Sequence, residues 1–142
     1  MKKTDAAWLA GILDGEGSIS LARGSRNRVS VYPQVQVSST TPIILRRLVK
    51  ITGVGRVKLS KQNGWGIRPL FSWVVVARQA AVILSAAVPY LVLKKKQALL
   101  AIRVARSIRG TDYGRSGLPL KYIARRNQWV ERMKEYNKHG QT

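Results

Sequence analysis

The sequence predicts an α/β (α+β) chain in the order helix–strand–strand–helix–strand–strand–helix, with extra helices at its C-terminal end. Three observations predict it. Apolar residues recur every three to four positions in residues 6–14, 42–52 and again beyond residue 79. Between these helical runs lie two pairs of short segments with alternating apolar residues. Breaking signals, Thr41-Pro42, Asn63-Gly64 and Pro89, fall at the junctions. No shift in composition marks a boundary. All 142 residues are therefore expected to form a single domain, with a core of about 5–109 and a helical extension of about 118–138.

The first helix is expected over 6–14, capped by Thr4 or Asp5. Ala7, Gly11 and Gly15 are spaced by four, and Ala10 and Asp14 lie alongside them. This thin stripe lets another backbone approach closely. Glycine inside a helix costs about 1 kcal/mol against alanine, so Gly11 implies compensating packing, against the chain's own sheet or against a twin helix in a dimer. Ser18 to Arg23 reads as a strand, followed by a polar basic loop. Val29 to Ser38 alternates cleanly: Val29, Val31, Pro33, Val35 and Val37 on one face, Ser30, Tyr32, Gln34, Gln36 and Ser38 on the other. Glutamine, serine and tyrosine suit the reading of base edges better than an ordinary solvated face rich in Lys and Glu does.

Thr41 and Pro42 open a second helix, in which Ile44, Leu45, Leu48 and Ile51 face inward and Gly53-Val54-Gly55 marks the stop. Residues 56–62 and 67–76 form a hairpin around Asn63-Gly64. Val57, Leu59, Phe71, Trp73 and Val75 are expected to point inward. Arg56, Lys58, Ser60 and Gln62 point the other way, as do Arg68, Leu70, Ser72 and Val74. Further helices are expected at 79–87, 97–108 and 118–136, with a fraying tail.

Charge narrows the function. Lys and Arg outnumber Asp and Glu by 26 to 6, a net charge of +20, and the pI is near 11.5. Such a field favours polyanions, above all nucleic acid. The absence of cysteine removes disulfides, thiolate zinc sites and cysteine nucleophiles. The lone histidine, His139, lies in the tail, which excludes histidine-metal nucleases. No phosphate-cradling loop and no G-x-S-x-G elbow is present. The apolar stretch at 80–93 is too short to span a bilayer, and the N-terminus lacks the features of a signal peptide. An intracellular protein, of cytoplasm or organelle, without membrane association is expected.

Carboxylates remain. From Gly17 to Thr111 there is no Asp or Glu, yet Asp14 and Glu16 sit together at the end of the first helix, where acids oppose the macrodipole. Hard divalent ions take oxygen ligands, often one or two carboxylates with phosphate and water. One chain has too few acids for a complete nuclease site. A site on a two-fold axis, with one carboxylate from each copy, solves the count.

Leu9-Ala10-Gly11-Ile12-Leu13-Asp14-Gly15-Glu16-Gly17 resembles the LAGLIDADG motif of homing endonucleases, with Glu as the last acid. The resemblance extends through Ser18-Ile19, Gly53-Val54-Gly55, Pro89-Tyr90-Leu91-Val92-Leu93-Lys94 and Lys96-Gln97, from about residue 8 to 108. It implies a saddle-shaped antiparallel sheet over the DNA major groove and, with one motif copy, a homodimer joined through Ala7, Ala10, Gly11 and Asp14. It implies Mg²⁺, or Mn²⁺ or Ca²⁺ in the same sites, on the Glu16 carboxylate and the Gly15 carbonyl. Lys94 would polarise water or stabilise phosphate charge, and Ser39 and Thr41 would order waters. Ser20, Ala22, Arg26, Arg28, Ser30, Tyr32, Gln34, Gln36, Lys58, Ser60, Gln62 and Arg68 become the expected contacts to double-stranded DNA. The implied activity is a staggered double-strand break in a long pseudo-palindromic site, by an intron-encoded enzyme. An intron maturase binding RNA and a non-catalytic DNA-binding regulator are the alternatives. The intact Asp14-Gly15-Glu16-Gly17 and Lys94 favour the nuclease.

Overall fold

The computed structural model describes residues 1–24, 30–61, 68–108 and 120–139. Along the chain these form α1 (Lys3–Glu16), β1 (Gly17–Arg23), β2 (Val31–Ser39), α2 (Pro42–Thr52), β3 (Arg56–Lys61), β4 (Leu70–Val76), α3 (Ala77–Ala87), a 3₁₀ turn (Val88–Tyr90), α4 (Lys95–Ser107) and α5 (Leu120–His139). The four strands make an antiparallel sheet in the order β1-β2-β4-β3. This is the architecture that the sequence predicts. The Asn63-Gly64 turn lies outside the described residues.

One side of the sheet is dry. Ile19, Val31, Val35, Val37, Trp73 and Val75 are buried from the strands, and the helices contribute Leu9, Leu13, Leu45, Leu48, Ile83, Leu84 and Ala101 to the same cluster. Each buried aliphatic side chain is worth about 1.5–3 kcal/mol, so this layer sets the fold. Trp129, Val130 and Met133 join the cluster from α5, which makes the C-terminal helix part of the core. No helix among the described residues is long and apolar enough to cross a membrane.

Several elements depart from their predicted ends. Helix α1 starts at Lys3 with no side-chain cap, so Thr4 and Asp5 lie inside its first turn rather than capping it. Asp5 still complements the helix dipole there. Helix α3 starts directly at Ala77, whose φ of 56° turns the chain sharply out of β4. Helix α4 begins two residues early, at Lys95, for a reason that belongs to the site below. Leu59, expected inside, is 52% exposed, because the pairing of β3 with β4 shifts between Leu59 and Lys61. Ile44, also expected inside, is 37% exposed.

Candidate nuclease site and nucleic-acid interface

Helix α1 runs to Glu16, and its last turn separates two carboxylates that lie two positions apart in sequence. Asp14 turns toward the segment entering α4. Its Oδ2 accepts the Val92 N–H at 2.8 Å, and its Oδ1 accepts those of Leu93 at 3.1 Å and Lys94 at 3.0 Å. Three successive amides around one carboxylate form an anion nest at the positive end of a helix. This is why α4 can begin at Lys95 despite its basic first turn. In return, Lys94 donates its ammonium to the carbonyls of Leu13 (2.6 Å), Asp14 (3.1 Å) and Gly17 (2.6 Å). A lysine has three N–H bonds to give, and all three go to the negative end of α1. Burial lowers the Lys94 pKa from its ordinary value, while the Asp14 and Glu16 carboxylates pull the other way.

Glu16 differs from Asp14. It is exposed and makes no hydrogen bond or ion pair among the described residues. A pocket of about 450 Å³ opens beside it, lined by Asp14, Gly15, Glu16, Gly17, Ser18, Leu93, Lys94, Gln97 and Asn137. Glu16 also borders a second hollow of about 400 Å³ with Ile12, Val37, Ser38, Ser39, Thr40, Ile44 and Leu70. Ser39 thus lines the same hollow as Glu16. Thr41 stands outside both pockets, exposed at the start of α2, where its N–H bonds Ser39 Oγ at 3.0 Å.

Two polar pocket residues, Gln97 and Asn137, were not among the expected site residues, although Gln97 lies within the resemblance. Gln97 is 3% exposed and donates to the Tyr136 carbonyl at 3.3 Å. Asn137, in the stretch expected to fray, donates to the Ile19 carbonyl at 3.0 Å. A buried glutamine on an otherwise apolar face of α4 was the available signal for the first. Nothing local announces the second, whose partner is far away in sequence.

The donor set suits a hard cation only in part. Among the described residues no three of His, Cys, Asp and Glu come together. With Asp14 committed to backbone amides, one chain offers the Glu16 carboxylate and the neighbouring Gly15 carbonyl. Mg²⁺ commonly takes this few protein oxygens and completes its shell with phosphate and water, so the residues fit such an ion at a nucleic-acid backbone.

The stripe on α1 is open at Ala7, Gly11 and Gly15, which are all exposed, and a Cβ at Gly11 or Gly15 would meet nothing within 4 Å. Ala10 is a correction. It is fully buried in the chain's own core and has no surface to give a partner. Asp14 likewise has its carboxylate turned to α4 rather than outward along the stripe.

The other face of the sheet is polar. Register places Ser20 beside Gln34, Ala22 beside Tyr32, and Ser18 beside Gln36. It also places Gln36 beside Val74, and Ser72 between Ser38 and Lys58. Gln34, Gln36 and Ser38 form a loose chain of contacts at 3.4 Å, which leaves their amides able to exchange partners. Arg56, opposite Val74, shares this face. Ser30 and Arg68 are exposed at strand entrances. Ser60 turns its hydroxyl to the Leu70 carbonyl at 2.9 Å. Arg26, Arg28 and Gln62 lie outside the described residues.

No protein-family sequence model and no curated protein matches the chain. Solved structures do match it. The homing endonuclease I-CvuI, in complex with the I-CreI target, superposes with a TM-score of 0.77 at 24% identity, over 94% of this chain and 82% of that one. The archaeal intron-encoded homing endonuclease I-Vdi141I, complexed with DNA, gives 0.71 at 14% identity, over 96% and 86%. The homing endonuclease I-TnaI gives 0.57 at 17% identity, over 99% and 98%. The chain therefore has the fold of the LAGLIDADG homing endonucleases.

Proposed function

We propose that the protein is a homodimeric, site-specific DNA endonuclease that hydrolyses both strands of a long pseudo-palindromic duplex with divalent metal. One observation carries this reading: at the end of α1, Glu16 presents an exposed carboxylate, without a bonded partner among the described residues, next to the open Ala7, Gly11 and Gly15 stripe. Pairing two copies along that stripe brings two such carboxylates together and supplies the acids that one chain lacks. The I-CvuI complexes with Mg and with Ca, and the DNA complex of I-Vdi141I, support the same reading by analogy of fold.

In this mechanism the Glu16 carboxylate and the Gly15 carbonyl would hold the metal. Mg²⁺, when bound, offsets phosphate charge and favours the ionised form of a nearby water. The chain's own residues supply position. Ser20, Tyr32, Gln34 and Gln36 read base edges from the sheet, while Arg56, Lys58 and Arg68 neutralise phosphates and fix the register of the duplex. Ser39, on the far side of Glu16, offers a hydroxyl to solvent at the scissile phosphate.

The test is selection of cleaved sites from a random-sequence duplex library with Mg²⁺, repeated with Glu16→Gln. The wild type is expected to enrich one long, near-symmetric site. Glu16→Gln is expected to bind that site normally and leave it intact. Cleavage by the variant at the wild-type rate removes the assignment.

A further inference from the structure

The reciprocal bonds between the end of α1 and the start of α4 carry an inference about roles. The Asp14 carboxylate accepts three α4-side amides at 2.8–3.1 Å, and the Lys94 ammonium donates to three α1-side carbonyls at 2.6–3.1 Å. The two residues thus bridge the same pair of helix ends in opposite directions. Each puts its charge where the helix dipole favours it, anion at the α4 N-terminus and cation at the α1 C-terminus. The carbonyls taken by Lys94 are those of Leu13, Asp14 and Gly17, and the Gly17 N–H turns back to Ile12 and Leu13. Neither residue takes the Gly15 carbonyl.

We propose that Asp14 and Lys94 are positioning residues forming a two-way clamp, which fixes the end of α1 so that the Gly15 carbonyl and the Glu16 carboxylate stand free and correctly spaced for a divalent cation. The inference rests on the reading of Glu16 as a metal ligand. It gives Lys94 a different task from direct contact with phosphate or water, because its N–H bonds are already committed. It also explains two acids, two positions apart in sequence, with opposite fates: Asp14 is consumed, while Glu16 stays without a bonded partner among the described residues. Gly17 fits the same picture. A Cβ there would lie 2.8 Å from the Leu13 Cα, so a side chain would push the last turn of α1 out of the clamp.

The experiment is a double-mutant cycle on the full chain bound to the selected duplex, with Asp14→Asn, Lys94→Met, the double variant and Glu16→Gln. Mn²⁺ binding is read by the electron paramagnetic resonance of the free ion. Cleavage is read as separate kcat and KM, and thermal unfolding monitors the fold. Each clamp variant is expected to lose roughly tenfold or more in Mn²⁺ affinity and in kcat, as partners behind a metal ligand commonly do, with KM for DNA little changed. The double variant is expected to lose no more than the worse single, since either change opens the same clamp. Additive losses overturn the proposal. So does Lys94→Met that loses kcat but keeps its Mn²⁺ affinity, the behaviour of a lysine acting on the reacting atoms. If Lys94→Met fails to fold, the milder Asp14→Asn decides alone, and wild-type Mn²⁺ affinity in it overturns the clamp. If Glu16→Gln keeps Mn²⁺ and cleavage, the site reading itself fails and the clamp's metal role falls with it. The Glu16 arm tells that failure apart from the clamp's own.

Discussion

Gly55 has no room for a side chain. Its φ is +81°, and a Cβ would lie 2.3 Å from Trp73 Nε1 and 2.8 Å from Trp73 Cδ1. The indole cannot yield easily, because it is fully buried and donates to the Val54 carbonyl at 2.9 Å. Gly55→Ala therefore adds left-handed backbone strain to a clash with the core's largest side chain. A loss of about 2–4 kcal/mol is expected in urea unfolding, and an unchanged midpoint would contradict the turn. The sequence announces this turn only as Gly53-Val54-Gly55. Why the second glycine is obligatory becomes visible once Trp73 is placed beside it. Asp14 and Glu16 teach the same lesson. Their chemistry is legible from residue type and from the acid-free span that follows. Their division of labour is not, because it depends on where Val92, Leu93 and Lys94 come to lie.

Among the elements, the exposed stripe on α1 was legible and the packing of α5 into the core was not. The small-residue stripe follows from four-residue spacing, a property local to one helix, and Ala7, Gly11 and Gly15 are exposed as it requires. Ala10 went astray because a one-residue step turns a side chain by about 100° around a helix axis, here into the core. Since nothing lies within 4 Å of a Cβ at Gly11, Gly11→Leu is expected to fold as a monomer and to fail only in pairing. Sedimentation equilibrium checks this, and a mutant that remains dimeric moves the interface elsewhere. At the other end, α5 seals the core with Trp129, Val130 and Met133 and ties its Asn137 to β1. Trp129→Ala is expected to cost about 3–5 kcal/mol in unfolding experiments. An exposed, fraying helix would lose far less. The sequence predicts this helix and expects fraying only in the tail beyond Tyr136, where Asn137 is instead held by the Ile19 carbonyl of β1.

At the scale of the molecule, two layers divide the work: the helices and the inner face of the sheet make the core, and the outer face of the sheet is polar. The strand faces were legible because a period of two is set by the pleat itself. Leu59 escaped because edge pairing slips there. The charge of +20 is spread over both layers, with Arg56, Lys58 and Arg68 at the sheet and Arg46, Arg47, Arg103 and Arg106 exposed on the helices. On the proposed function, affinity for duplex DNA has two separable parts. Phosphate contacts release counterions, so log K should fall with log salt by about 0.9 per phosphate neutralised. An extended grip of six or more contacts would lose about a thousandfold or more between 50 and 200 mM salt. Lys58→Ala is expected to weaken binding to every sequence alike and to flatten that slope by about one contact. Gln34→Ala should instead leave the slope intact and relax preference at one position in each half-site, costing about 1–3 kcal/mol of discrimination. Binding titrations over a salt series, on the selected site and on its single-base variants, separate the two outcomes. If Gln34→Ala changes the slope and not the preference, the polar face of β2 grips phosphate and base reading belongs to other strands.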